Sequence, residues 1–265
     1  MKKLLLIIII SLSLFSCGID RIYTSGTYGS IKSYTAKPEY RNKDTSAVYI
    51  SGNYSKGEHR QFGNYSTSEL VQKETKDKKD LMSLSIHKSV TRKYFNFYYG
   101  VGGTYGNYTF RSDFFDIVQV NEKQDFYSVN SKIGINYNLP TKKMDWRIVG
   151  LELGHNYEFG LYQNTLIRIK ERAEGLSRIL VVNEKSIFSY NFNPEAVFKL
   201  KNNNAFGIGY FLGDVLNNPK ELKNKDSAFY GLFFSYKHAE YTLSFITEIG
   251  NEVSSSKFGL SYQLF

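Results

Sequence analysis

The sequence predicts an all-β chain: a single antiparallel up-and-down transmembrane β-barrel of about ten strands. Three observations carry that prediction. Apolar and polar residues alternate with period two in segment after segment. From Ala228 onwards, Ala228, Tyr230, Leu232, Phe234 and Tyr236 alternate with Phe229, Gly231, Phe233, Ser235 and Lys237. After a break at His238–Glu240, Tyr241, Leu243, Phe245 and Ile249 alternate with Thr242, Ser244 and Glu248. Such alternation gives each strand one apolar and one polar face. Connections between these segments are short and long in turn. Finally, 16% of the 265 residues are aromatic and only 4 are Pro. Beyond the N-terminus no run of about 18 apolar residues could form a membrane-spanning helix.

Residues 1–16 read as a signal peptide. Lys2 and Lys3 form a basic start, Leu4 to Phe15 an apolar core, and Leu14-Phe15-Ser16-Cys17-Gly18 follows. This end resembles a bacterial lipoprotein signal, whose lipobox closes on the cysteine that receives the acyl chains. The resemblance implies cleavage before Cys17 and lipidation of Cys17, with acyl chains that anchor the new N-terminus. Cys17 is the only cysteine, so no intramolecular disulfide can form. Residues 17–45 are polar, rich in Gly, Ser, Thr, Tyr and Lys, and read as a lipidated extended tether; folding into the barrel mouth is the alternative.

Residues 46–265 supply the strands, of lengths near those that cross a bilayer at a tilt. They are Ser46–Ser55, Leu81–Val90, Tyr94–Phe110, Phe126–Leu139, Trp146–Phe159, Ser186–Leu200, Asn204–Gly213, the two arms of the Ala228–Gly250 hairpin, and Ser256–Phe265. Thr91–Lys93, Pro140–Asp145, Lys201–Asn203 and His238–Glu240 are short connections. Lys56–Asp80, Arg111–Asp125, Gly160–Lys185 and Asp214–Ser227 are long, and Asn251–Ser255 is the short exception among them. This asymmetry, and a final strand Phe258 to Phe265 ending in an aromatic, resemble Gram-negative outer-membrane barrels, with short periplasmic turns and longer external loops. Phe265 departs from the resemblance in being out of phase with Phe258, Leu260 and Tyr262. The resemblance implies an outer-membrane location, both chain ends on the periplasmic side, and a lipidated Cys17 at the inner leaflet.

Side-chain size decides which face is outside. The polar face carries Gly100, Gly134, Gly209 and Gly231 with Ser85, Ser128 and Ser244, which suit a crowded lumen. Tyr127, Val129, Ile133 and Ile135 are then expected to face lipid. In Gly160–Lys185 both helical and strand spacings occur; strands extended beyond the bilayer as a hairpin are expected there.

Predicted lumen charges are Lys132, Glu152, Glu158, Glu195, Lys199, Lys237, Glu248 and Lys257. Mixed signs in a narrow barrel read as paired, space-filling contacts, because an unpaired buried charge is costly. The four histidines, His59, His87, His155 and His238, scatter over the barrel, with His155 toward the external rim on the apolar face. No nucleophile motif, metal-ligand spacing or phosphate loop occurs, so no catalytic residue, metal or cofactor is assigned. The formal charge of +9 rests on loop lysines such as Lys73–Lys79 and Lys220–Lys225. With an export signal present, nucleic acid is excluded as a partner; outer-membrane lipids and an unidentified protein partner are expected. The expected function is a non-enzymatic outer-membrane barrel lipoprotein with a structural or surface-interaction role through its external loops. The alternatives are a barrel hydrolase acting on lipid or surface peptide, and a lipid-tethered soluble barrel holding an apolar ligand.

Overall fold

A computed structural model of the chain describes residues 21–23, 32, 34–61, 75–114, 118–172, 179–216, 228–250 and 253–265. Cys17 and the signal segment lie outside them. The strands are β1 (Arg21–Tyr23), β2 (Thr45–Gln61), β3 (Thr75–Thr91), β4 (Phe95–Phe114), β5 (Val118–Pro140), β6 (Met144–Phe159), β7 (Ile179–Val181), β8 (Ser186–Phe192), β9 (Glu195–Lys199), β10 (Ala205–Val215), β11 (Phe229–His238), β12 (Tyr241–Gly250) and β13 (Val253–Gln263). One helix, α1 (Leu161–Arg172), follows β6.

The main sheet runs β11-β12-β13-β2-β3-β4-β5-β6, then β8 and β9 end to end, then β10, which pairs back onto β11. The result is a closed antiparallel barrel of ten staves. Closure leaves no open edge, the condition for a sheet to sit in hydrocarbon, where backbone groups cannot turn to water. Pro194 explains why the sixth stave is split: it has no N–H to give the ladder, and its carbonyl accepts from Tyr210 N at 3.1 Å.

The outer face is apolar, as side-chain size predicts. Val129 is 52% exposed and Ile133 46%, which removes the soluble barrel with an apolar interior. Aromatics ring both ends of this band. Tyr105, Tyr127 and Phe159 touch at one level (centroids 5.2 and 5.6 Å apart), and Phe95–Tyr137 and Tyr241–Tyr262 at the other. Aliphatic residues lie between the rings, as interface girdles require. Past Tyr105 and Tyr127 the outward positions become Asn107, Thr109, Lys123 and Asp125.

Two departures from the sequence expectation concern the long-loop end. β4 with 20 residues and β5 with 23 continue as one ribbon well past the bilayer, so the described residues of Arg111–Asp125 are strand rather than loop, and β2 and β3 likewise run on to Gln61 and from Thr75 into Lys56–Asp80. And Gly160–Lys185 is not an extended hairpin. Gly160, at φ 121°, breaks β6, and α1 begins directly after it. The helix buries Tyr162, Leu166 and Ile169 against Leu81, Tyr108, Phe110, Phe126 and Val181. That is the helical spacing winning over the Ile167/Ile169 alternation. Together these residues cap the barrel mouth. At the opposite end the turns are tight: Asn202 and Asn203 both adopt positive φ (54° and 62°), the geometry that two-residue hairpin turns favour.

Candidate functional site

Among the described residues, the lumen is where distant parts of the chain bring charged groups together under near-complete burial. The strands deliver them by strict alternation, which sends Lys132, Glu152, Lys237, Glu248 and Lys257 inward; all are buried. Glu158 and Glu195 are buried as well, and Lys199 pairs with Asp145. All eight predicted lumen charges therefore face inward.

The lumen also holds something the tether expectation does not provide. Lys32 and Tyr34 to Glu39 are buried inside the barrel in extended form, so the barrel-mouth alternative describes this part of the chain. Lys32 Nζ lies 3.4 Å from Glu152, which also faces Lys132 at 3.9 Å and accepts hydrogen bonds from Tyr98 Oη (2.9 Å) and Asn191 Nδ2 (3.1 Å). Lys37 lies 3.3 Å from Glu195, itself bound by Arg147 at 2.8 Å. Glu39 faces Lys237 at 3.3 Å. The segment's backbone is held too. Lys257 Nζ donates to Lys32 O (2.7 Å), His87 Nε2 meets Ala36 O (2.8 Å), Thr91 and Arg147 donate to Pro38 O, and Tyr40 N donates to Asp145 (2.7 Å). The His87 ring is sandwiched between Tyr34 and Tyr49, with centroids 4.5 and 5.0 Å away.

Neutralisation explains the arrangement. Glu152 and Glu195 each have one cation from the N-terminal segment and one from a strand, and Glu39 and Asp145 each have one from a strand. Small residues make the room: a Cβ on Gly134 of β5 would collide with the Tyr98 ring of β4, which lies over Gly134 to reach Glu152 of β6. Above the segment, a polar cavity of about 30 Å³ remains between Tyr34, Asn53, Ser83, Asn130 and Lys257. That is room for one or two waters, not for a conducting column.

Arg147 escapes the sequence reading. Period two would put it outside with Val149, yet it is the largest fully buried side chain among the described residues. The register of β6 against β5 shifts between Tyr137 and Asn138, leaving Ile148 as an extra residue. Ile148 and Val149 both face lipid, and the alternation restarts in the opposite phase. Two adjacent apolar residues, Ile148 and Val149, which break the alternation after Trp146 and Arg147, are the trace of this bulge in the sequence.

A second polar group lies on the lipid side. His155 Nε2 is 2.8 Å from Ser186 Oγ, and its ring stacks on Phe188 at 4.5 Å. Beside it, an outward groove of about 600 Å³ is lined by Ile86, Tyr99, Val101, Ile133 and Leu153. Among the described residues no carboxylate or amide hydrogen-bonds this imidazole, and no group of His, Cys, Asp and Glu suited to a metal occurs among them. His87 is in the lumen and His238 ends β11, so the structure does not bring the described histidines together.

At the cap, Arg168 of α1 pairs with Glu122 of β5, which also accepts from Gln124 (2.9 Å) and Thr165 (3.4 Å). The hydrogen bond from Arg168 holds the Glu122 carboxyl below the usual carboxylate range.

No protein-family model and no curated protein matches the sequence. Solved structures similar to the chain include the translocator domain of the autotransporter NalP from Neisseria meningitidis (10% identity, TM-score 0.42, covering 82% of this chain and 87% of that one). Another is the β domain of the Bordetella autotransporter BrkA (7%, 0.40, 82% and 98%). A third is an outer-membrane channel from Pseudomonas putida F1 (7%, 0.40, 83% and 96%).

Proposed function

We propose that the chain is a sealed, non-enzymatic outer-membrane barrel lipoprotein that acts through the surface built at its long-loop end. The observation that carries this reading is the filled lumen. Strand charges that could line a pore are instead neutralised by Lys32, Lys37 and Glu39, and the mouth above is closed by α1 and its aromatic cluster. What is left for recognition is the extension of β4 and β5 with the cap, which carries the exposed Lys123, Glu171 and Arg172. Lipid is one partner, met by the apolar band; a protein or glycan at the cap is the other. Lipidation of Cys17 belongs to this reading through the lipobox, and Cys17→Ala should abolish incorporation of labelled fatty acid. Reconstitution in planar bilayers tests the sealed barrel: the protein should give no steady single-channel conductance. A stable ohmic channel from the heat-modifiable protein would refute it.

A hydrolase acting on membrane lipid is the second reading, favoured by the His155–Ser186 pair beside an acyl-sized groove just below the aromatic girdle. It requires that Ser186→Ala abolish fatty-acid release from phospholipid. The missing third group at His155 among the described residues places it second.

A further inference from the structure

We infer that the barrel threads its own N-terminal segment through its lumen, so that the chain preceding β1 emerges at the external, long-loop face rather than on the periplasmic side. This deepens the sealed-barrel reading and rests on the orientation that the connection lengths give.

The contacts of the segment order it along the barrel axis. Arg41 donates to Asn204 O in the β9–β10 turn, and Tyr40 meets Asp145 beside the β5–β6 turn, so this end is at the short-turn rim. Glu39 reaches Lys237, one residue from the end of β11. Ala36 reaches His87, four residues up from the end of β3 at Thr91. Lys32 reaches Glu152 and the Lys257 amine, in the middle of β6 and β13. Going backward in sequence therefore means climbing towards the long-loop end.

The climb ends at the cap. β1 pairs in parallel with β7, Arg21 opposite Ile179 and Tyr23 opposite Val181. β7 belongs to the long connection after α1, and Val181 packs in the cap cluster with Tyr162 and Phe126. The span is feasible. Tyr23 lies nine Cα–Cα steps before Lys32, which reach at most about 30 Å. The seven steps of β6 from Glu152 to Phe159 rise about 23 Å along a tilted strand, less along the axis. Thr45 then starts β2 at the short-turn rim, opposite Thr91. The chain thus descends through the lumen once before the first stave rises around it. The start of β2 and the end of β13 lie at the short-turn rim, whereas β1 lies at the opposite, long-loop face.

Single-cysteine variants labelled on intact cells with a membrane-impermeant maleimide test this. Glu171→Cys on α1 marks the external cap, and Lys142→Cys in the β5–β6 turn marks the opposite rim. The parent chain, whose Cys17 is blocked if acylated, gives the background. Arg21→Cys should label on intact cells together with Glu171→Cys, while Lys142→Cys labels only after the outer membrane is permeabilised. Labelling of Arg21→Cys only together with Lys142→Cys would overturn the threading. Labelling of Lys142→Cys on intact cells with Glu171→Cys protected would overturn the orientation instead. If Arg21→Cys reacts in neither state, an epitope inserted between Asp20 and Arg21 decides: antibody binding to intact cells supports the external exit, and binding only after permeabilisation overturns it.

Discussion

The two faces of the same strands behave differently. On the lipid face a residue meets one uniform medium, and its neighbours matter little. Met82, Leu84 and Ile86 of β3, or Val129, Ile133 and Ile135 of β5, are all simply apolar. On the lumen face each residue answers to a specific partner far away in sequence. Glu152 is satisfied by Lys32, 120 positions earlier, and Glu195 by Lys37 and Arg147. The outer face thus specifies where the barrel sits, and the inner face specifies that it is closed.

The sharpest break in this comparison is a lumen change. Glu195→Gln leaves Lys37 and Arg147 facing one another in a dry interior. Breaking one side of a buried pair costs about 3–5 kcal/mol. The heat-modifiable form on unboiled gels should largely disappear, and Glu152→Gln should follow it, because Lys32 and Lys132 both lose their carboxylate.

A lipid-face change comes next. Leu151→Arg puts a charge in the middle of the band at about 2–4 kcal/mol. Assembly should drop, whereas Leu151→Ile should assemble as the parent does. Equal assembly of Leu151→Arg would mean the facing is wrong.

Third is the cap. Leu166→Ala opens a void in a fully buried cluster and should cost about 2 kcal/mol or more, confined to α1 and β7. Limited proteolysis should cut around α1 in this variant while the barrel band on gels is unchanged.

The smallest effect is electrostatic. Glu122 is partly exposed, so its pair with Arg168 contributes at most about 1 kcal/mol. Its carboxyl pKa is depressed on folding, so the contribution is present above the unfolded value and is lost as pH falls through the folded one. The protection factors of α1 amides against hydrogen exchange, taken relative to the intrinsic rate at each pH, should fall on acidification in the parent chain and respond less in Glu122→Gln.

The comparison also accounts for what the sequence made legible. Staves, girdles and the inward set of charges follow from period two, a local property. Lys32, Lys37 and Glu39 could not be assigned to the lumen, because nothing local distinguishes a polar plug from a polar tether. Arg147 was hidden by a one-residue bulge, and α1 by a segment that carries both spacings until the aromatic cluster of β4 and β5 selects one.

The central claim is that residues of the N-terminal segment sit inside the closed barrel. Thiol reactivity at Ala36, buried against Ala47 and Tyr49, tests it most directly. In the purified heat-modifiable protein, Ala36→Cys should stay unreactive to maleimide until the barrel is boiled, while Asn42→Cys, exposed at the rim, reacts at once. Equal rates at the two positions in the intact barrel would contradict the plugged lumen.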